Sequence, residues 1–291
     1  MDPWSQGATA LIPRADTVPA QLPELLRQSR ATLFAAAPGV YRKMLQGWQG
    51  GPLPDLRHGL SAGEKLSERL HARWRAATGR PVYEAYGLSE CSTFISSAPA
   101  QPAGQDALGR PQPGRRVAIL GRDGPVAHGE TGIIAVDRRD PGLMLEYLGA
   151  PEATRAKFQD GWFLTGDLGS MAEDGTIRYV GRADDVMNAG GHRVSPAEVE
   201  GVLATFPGIL AVAVTDIALK TDTRVIAAFY VSAQPLPEPA LRAFAAARLA
   251  RYKQPRVYMR LPDLPTGPNG KLRRRALQDI GAKEVRDGRE A

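Results

Sequence analysis

The apolar rhythm of this 291-residue chain changes twice, and those two changes limit its fold more than any single motif does. From residue 1 to about 100, strand-like runs (ATALI, ATLFAAA, PVYEAYG) alternate with helical patterns, the clearest being EKLSERLHARWRAAT at 64–78, stopped by Gly79. Such alternation predicts an α/β piece built on a parallel sheet. From about 105 to 181 the runs shorten to VAIL, GIIAV, WFLT and IRYV, split by Gly, Pro and Asp turns such as EDG at 173–175. That texture predicts a small antiparallel sheet or barrel. After Arg182 the pattern becomes that of a compact α+β unit, with a helix from 196, strands near 209–216 and 223–231, a helix over 237–250 and a strand over 256–261. The expected divisions are 1–104, 105–182 and 183–291.

Length and charge narrow the function classes. The chain is long enough for two domains and a sizeable core. One cysteine, Cys91, excludes an internal disulfide and points to a reducing cytoplasm. No apolar run approaches the roughly 20 residues of a bilayer span, and Met1 to Ala20 lacks the basic and apolar regions of a leader. A net charge of +6 suits a polyanion, but it is interspersed except in LRRR at 272–275 and RYKQPR at 251–256. A nucleic-acid binder would rest on that charge alone, since there is no aromatic-and-basic RNA signature, no zinc spacing and no internal repeat. A phosphorylated small molecule satisfies the charge equally well.

One stretch concentrates unusual chemistry. GRADDVMNAGGHRVSPAEVE at 181–200 sets Asp184 and Asp185 before Gly190, Gly191, His192 and Arg193, and then starts a helix abruptly. Ser195 can cap, Pro196 suits the first helical position, and Glu198 completes a capping box. The segment 184–194 is thereby held between a β region and an anchored helix. It reads either as an ordinary interdomain connection or as a hinge or active-site loop.

Taken together, YEAYGLSECS at 83–92, GWFLTGDLG at 161–169, the stretch at 181–200 and TGPNGKLRRRAL at 266–277 resemble, in order and spacing, the later motifs of the adenylate-forming superfamily. That superfamily comprises acyl-CoA and aryl-CoA synthetases, peptide-synthetase adenylation domains and beetle luciferases. The Gly-His-Arg variant is most similar to synthetases for short or medium acids. The resemblance covers essentially the whole chain, including SAGEKL at 61–66, with Gly63 and Glu64, which resembles the loop preceding a nucleotide-binding helix.

The resemblance implies ATP-dependent activation of a small carboxylic acid to acyl-AMP, with magnesium, followed by transfer to coenzyme A or, less favoured, to a carrier protein. It implies that 1–104 is part of a nucleotide-binding subdomain, 105–182 a β-barrel-like subdomain, and 183–291 a mobile α+β domain. By position, Glu90 would hold magnesium and Ser89, where the family more often has threonine, would contact phosphate. Glu84, Ala85, Tyr86 and Gly87 would meet the nucleotide, with Tyr86 packed on adenine. Asp167 would bind the ribose hydroxyls, with Arg182 as a second ribose contact. Lys271 would bridge the attacking carboxylate and the α-phosphate, Asp184 would be the hinge, Gly190 and Gly191 would line the pantetheine channel, and Arg193 would face phosphates. Asp185 has no assigned role, and His192 is expected to hydrogen-bond locally. Plainer readings stand beside these: Tyr86 as a core aromatic, Asp167 as a turn residue, Lys271 as a solvated loop cation.

The family also has an upstream Ser/Thr/Gly-rich loop ending in Pro-Lys that wraps the β- and γ-phosphates, and nothing in residues 1–82 resembles it. The expectation is therefore that about half of a family member, including much of the acid pocket, lies outside this sequence. A miscalled start, a disrupted gene, a separately encoded N-terminal half and a short protein with a reduced role would each account for that. A catalytically inactive nucleotide- or CoA-binding module is the alternative function.

Overall fold

The computed structural model describes every residue except 1–2, 49, 105–106, 190–191, 221–222, 268–271 and 288–291. Its first third alternates helix and strand: α1 (Leu22–Gln28), β1 (Leu33–Ala36), α2 (Pro38–Gly47), β2 (His58–Ala62), α3 (Glu68–Thr78) and β3 (Val82–Leu88). β1, β2 and β3 pair in parallel. α2 has Pro38 in its first turn and buries Tyr41, Met44 and Leu45, a spacing that puts all three on one face. Tyr41 and Trp74 of α3 meet edge to face at 4.9 Å, and the Tyr41 hydroxyl reaches the Phe34 and Leu60 carbonyls at 2.9 and 3.0 Å.

α3 starts four residues after the pattern predicted at 64. Leu66 N donates to Glu84 Oε2 at 2.9 Å instead of entering a helix, and Ser67 Oγ accepts from Leu70 N at 3.3 Å as the cap. ATALI, expected as a strand, pairs with nothing among the described residues, and Leu11 and Ile12 are exposed.

The sheet then turns antiparallel through β4 (Ser92–Ser96) and β5 (Ala107–Pro111). β6 (Val117–Leu120), β7 (Thr131–Asp137), α4 (Pro151–Ala156), β8 (Phe158–Gln159), β9 (Trp162–Met171) and β10 (Ile177–Arg182) follow. The strands form one ten-stranded mixed sheet, ordered β1-β2-β3-β4-β5-β10-β9-β7-β6 with β8 on β9. Its path ends at β6 without closing, so the barrel-like form expected for 105–182 is replaced by an open antiparallel extension of the α/β sheet. The short runs match β6, β7, β9 and β10, and EDG makes the β9–β10 turn. Phe94, Ile95, Leu108, Ile134, Phe163 and Ile177 form the core there.

The last third contains a hairpin, β11 (Met187–Ala189) and β12 (His192–Val194), then α5 (Pro196–Leu203), β13 (Ala211–Lys220), β14 (Thr223–Val231), α6 (Glu238–Ala246), β15 (Val257–Arg260) and α7 (Arg274–Asp287). Strict alternation along β14 divides two cores. Ile226, Ala228 and Tyr230 pack with Val199, Leu203 and Leu241 of α5 and α6, while Ala227 and Phe229 face Leu277 of α7. A Cβ on Gly281 would lie 2.7 Å from Ile217 Cγ2 and 3.0 Å from Phe229 Cζ, so its bareness lets α7 lie flat on the sheet. The expected capping box does not form. Pro196 opens α5 as expected, but Ser195 Oγ donates to Val180 O of β10 at 2.6 Å, and Glu198 pairs with Lys253 at 2.5 Å.

Candidate active site

Parallel strands β1, β2 and β3 all end on one side, so Ala36, Ala62 to Glu64, and Ala85 to Glu90 gather along one edge. In open α/β sheets that is the edge where ligands bind. Ala85 lines a shallow apolar groove there, about 240 Å³, with Ala35, Ala36, Ala37, Leu60, Ser61 and Ala62. Gly63 is exposed in the bend after β2, with Glu64 beside it. The Glu84 carboxylate accepts from Leu66 N and so fastens the SAGEKL segment to β3. Gly87 answers to its own sheet: a Cβ there would stand 2.3 Å from Ser92 O of β4.

Three of the expected residues meet in one cluster. β9 and β10 pair with Asp167 opposite Arg182, and Tyr86 reaches across from β3. Tyr86 Oη donates to Asp167 Oδ2 at 2.5 Å, and Arg182 Nη1 donates to Asp167 Oδ1 at 3.3 Å. Asp167 is 3% exposed. Its own N–H donates to Thr165 Oγ1, which donates on to Ile134 O, so the turn-residue reading fails and the carboxylate is built in. Burial first, then the Asp167 charge and hydrogen bond, push the Tyr86 phenol far above its ordinary range, so it remains a donor. Its ring packs edge-on to Phe94 at 5.2 Å, so Tyr86 is also partly a core aromatic.

Ser89 and Glu90 form the turn from β3 into β4, with Ser89 exposed. Tyr147 Oη donates to Glu90 Oε1 at 2.7 Å, and Met144 N donates to Glu90 O at 2.6 Å. Burial, then the Glu90 bond, push the Tyr147 phenol up to about 12. Beneath the turn lies Arg115, which donates to Cys91 O at 2.6 Å, Thr93 O at 2.8 Å and both oxygens of Asp140 at 2.9 and 3.1 Å. Cys91 is buried, and burial pushes its thiol up to about 12, out of reactive range. Tyr147, Arg115 and Asp140 were not singled out from sequence.

No group of three or more His, Cys, Asp or Glu capable of holding a metal occurs among the described residues. A magnesium ion here would be held by the Glu90 carboxylate, whose Oε1 accepts from Tyr147, together with phosphate and water oxygens. That donor set is hard, oxygen-only and sparse, as magnesium at a nucleotide requires, so the residues present fit the ion.

The two acids of the 184–185 pair have different partners. Arg182 Nη2 lies 3.6 Å from Asp184 Oδ2, whose side chain is 84% exposed. Asp185 instead accepts from Arg274 Nε at 3.1 Å, and Arg274 continues to Glu200 at 2.6 Å and Val214 O at 2.8 Å. Asp184 thus faces Arg182 of β10, while Asp185 pairs with Arg274 of the last third and also adds to the field at Arg182 and Tyr179. His192, expected to bond locally, stacks on the Tyr252 ring at 4.3 Å. Arg193 is exposed on β12, opposite Asn188. Gly190, Gly191 and Lys271 lie outside the described residues. Thr266 and Leu272 form an isolated antiparallel bridge, and Arg273 N donates to Pro265 O at 2.9 Å. The RYKQPR run contributes Arg251 and Arg256 to a groove of about 360 Å³ shared with Arg242 and Tyr258.

A family model for AMP-binding enzymes matches residues 2–148, and one for the C-terminal domain of AMP-binding enzymes matches residues 198–271. The chain is 31% identical to the mitochondrial acyl-coenzyme A synthetase ACSM3 of Pongo abelii, over 95% of this chain and 49% of that protein. It is 32% identical to the 3-hydroxybenzoate–CoA ligase of Aromatoleum sp. (strain CIB), over 94% of this chain and 54% of that one. The fold is similar to that of o-succinylbenzoate CoA synthetase from Bacillus subtilis in complex with its acyl-adenylate intermediate, with a TM-score of 0.81 at 28% identity, over 94% of this chain and 56% of the other. The chain spans about half the length of the curated relatives it matches.

Proposed function

Because the chain belongs to the family of AMP-binding enzymes, we propose that its residues serve an AMP-forming acid–thiol ligase. A carboxylate attacks the α-phosphate of ATP, pyrophosphate leaves, and the acyl-AMP then passes its acyl group to the thiol of coenzyme A, releasing AMP. The observation that carries this reading is the cluster of Tyr86, Asp167 and Arg182. A buried carboxylate held by a phenol and a guanidinium still has lone pairs to accept from two neighbouring ribose hydroxyls.

In this reading Glu84, Ala85 and Gly87 flank the nucleotide with Gly63 and Glu64, Ser89 meets phosphate, and Glu90 meets magnesium, which when bound offsets charge on the leaving pyrophosphate. Lys271 supplies the cation between the attacking carboxylate and the α-phosphate. The pairing of Asp184 with Arg182, beside Asp185 with Arg274, supports a pivot at 184 about which residues 183–291 move as a domain. Gly190 and Gly191 leave room for the pantetheine arm. Arg193 and the arginines of the 251–256 run face the phosphates of coenzyme A. The lone buried thiol suits the cytoplasm as the compartment; among the described residues no helix is long and apolar enough to cross a membrane.

The two half-reactions test this, measured with the upstream half supplied, because the 291-residue chain alone is expected to be weakly active or inactive in adenylation. Lys271→Ala should cost on the order of a hundredfold or more in acyl-AMP formation, while supplied acyl-AMP is still converted to the thioester. Gly191→Leu should do the reverse. Equal impairment of both half-reactions by both changes would contradict the pivoting reading. A protein that binds AMP but never catalyses pyrophosphate exchange with ATP would instead be an inactive nucleotide-binding module.

A further inference from the structure

We infer that Tyr147 is a positioning residue for Glu90, committing one carboxylate oxygen to the protein and leaving the other for magnesium; this rests on the reading of Glu90 as the residue that meets the metal. Tyr147 Oη donates to Glu90 Oε1 at 2.7 Å, and Oε2 has no hydrogen-bond partner among the described residues. The main chain of the turn is held at three carbonyls. Met144 N donates to Glu90 O at 2.6 Å, and Arg115 donates to Cys91 O at 2.6 Å and Thr93 O at 2.8 Å. With the backbone fixed, the freedom left to Glu90 is rotation of its side chain, and the Tyr147 hydroxyl removes it.

The segment around Tyr147 is arranged for that contact. Of residues 145–149, Tyr147 alone is half-buried, while Leu145 and Leu148 are 96% and 97% exposed. Apolar burial would turn the leucines inward and leave the phenol wet. The reverse is seen, and Tyr147 N is further tied to Thr154 Oγ1 of α4 at 2.9 Å. A group that locks one oxygen of a metal-binding carboxylate selects which lone pair faces the ion, and loss of such a partner typically weakens metal affinity about ten- to a hundredfold.

Manganese with ATP is the probe. Its affinity for the 291-residue chain is read from water-proton relaxation for the native protein, Tyr147→Phe and Glu90→Gln, and metal-free AMP binding is titrated in the same samples. Both variants should weaken the manganese–ATP complex about ten- to a hundredfold and leave AMP affinity unchanged. A weakened Glu90→Gln beside a native-like Tyr147→Phe overturns the role of Tyr147 and leaves the reading of Glu90 standing. If neither variant moves the affinity, the reading of Glu90 falls and takes this inference with it. Loss of AMP and manganese–ATP together in Tyr147→Phe overturns it too, since the tyrosine would then only hold the fold.

Discussion

Asp140 shows how a residue that touches no proposed substrate can support the site. Burial raises its carboxyl, but the Arg116 N–H, the Arg115 guanidinium and the Gly142 N–H outweigh that and hold it below the usual carboxylate range. A carboxyl depressed in the folded state adds stability above its unfolded value of about 4, and that contribution is lost as pH falls through the folded value. Asp140→Asn should therefore be clearly less stable than the native chain at pH 7, and the gap should narrow below about pH 4, as read from urea denaturation at a series of pH values. A gap independent of pH would contradict the account. Arg115→Met strands Asp140 in the interior, where Arg115 is 10% and Asp140 0% exposed, and should cost about 3–5 kcal/mol. Asp167 and Arg182 were named because GWFLTGDLG and the stretch from 181 resemble family motifs, and the structure brings the two together across β9 and β10. Tyr147 and Glu90 are 57 residues apart, and Arg115 and Asp140 are 25 apart. Only pairing of the strands between them creates those contacts, and no local spacing announces them.

Among the elements, caps separate what a sequence pattern implies from what packing selects. Ser195 reads as a helix cap and Ser67 as a residue inside the helix predicted from 64, yet Ser67 caps α3 and Ser195 reaches across to β10. The difference follows from competition: Glu198 is drawn to Lys253, and the Ser195 hydroxyl finds a carbonyl of a neighbouring strand closer to hand. Ser67→Ala should lower chain stability by about 1 kcal/mol. Ser195→Ala should leave the helicity of α5 intact while increasing amide exchange in β10 and at the 183–186 connection, measured by hydrogen exchange; fraying of α5 instead would restore the cap reading. β1, β3, β6, β7, β9, β10 and β13 to β15 were legible because apolar runs of their length favour extended pairing. α7 was not, because LRRR reads as a solvated charge run. Leu277 and Ile280, three apart on one helix face, together with Gly281, were the signal available.

For the molecule as a whole, the mixed sheet places its parallel strand ends, the Ser89–Glu90 turn and the Asp167 cluster on one working edge, and the 184–185 pair links that edge to the α+β part. At the far edge β1 has no outer neighbour among the described residues, and Leu33 is 49% exposed there. The sequence left sheet or barrel open because short antiparallel runs with regular turns look alike in both; among the described residues the path ends at β6 without closing, and closure depends on a pairing between end strands that no run encodes. The claim on which the rest depends is that Tyr86, Asp167 and Arg182, drawn from three strands, hold a nucleotide's sugar. It is tested most directly by titrating AMP and 2′,3′-dideoxy-AMP into the native chain and into Asp167→Asn, with folding checked by melting. Hydrogen bonds to a charged group are worth about 1.5–3 kcal/mol, so the native chain should prefer AMP about ten- to a hundredfold, and the preference should vanish in the variant. Equal affinity of the native chain for both nucleotides, or a preference that survives in Asp167→Asn, would contradict it.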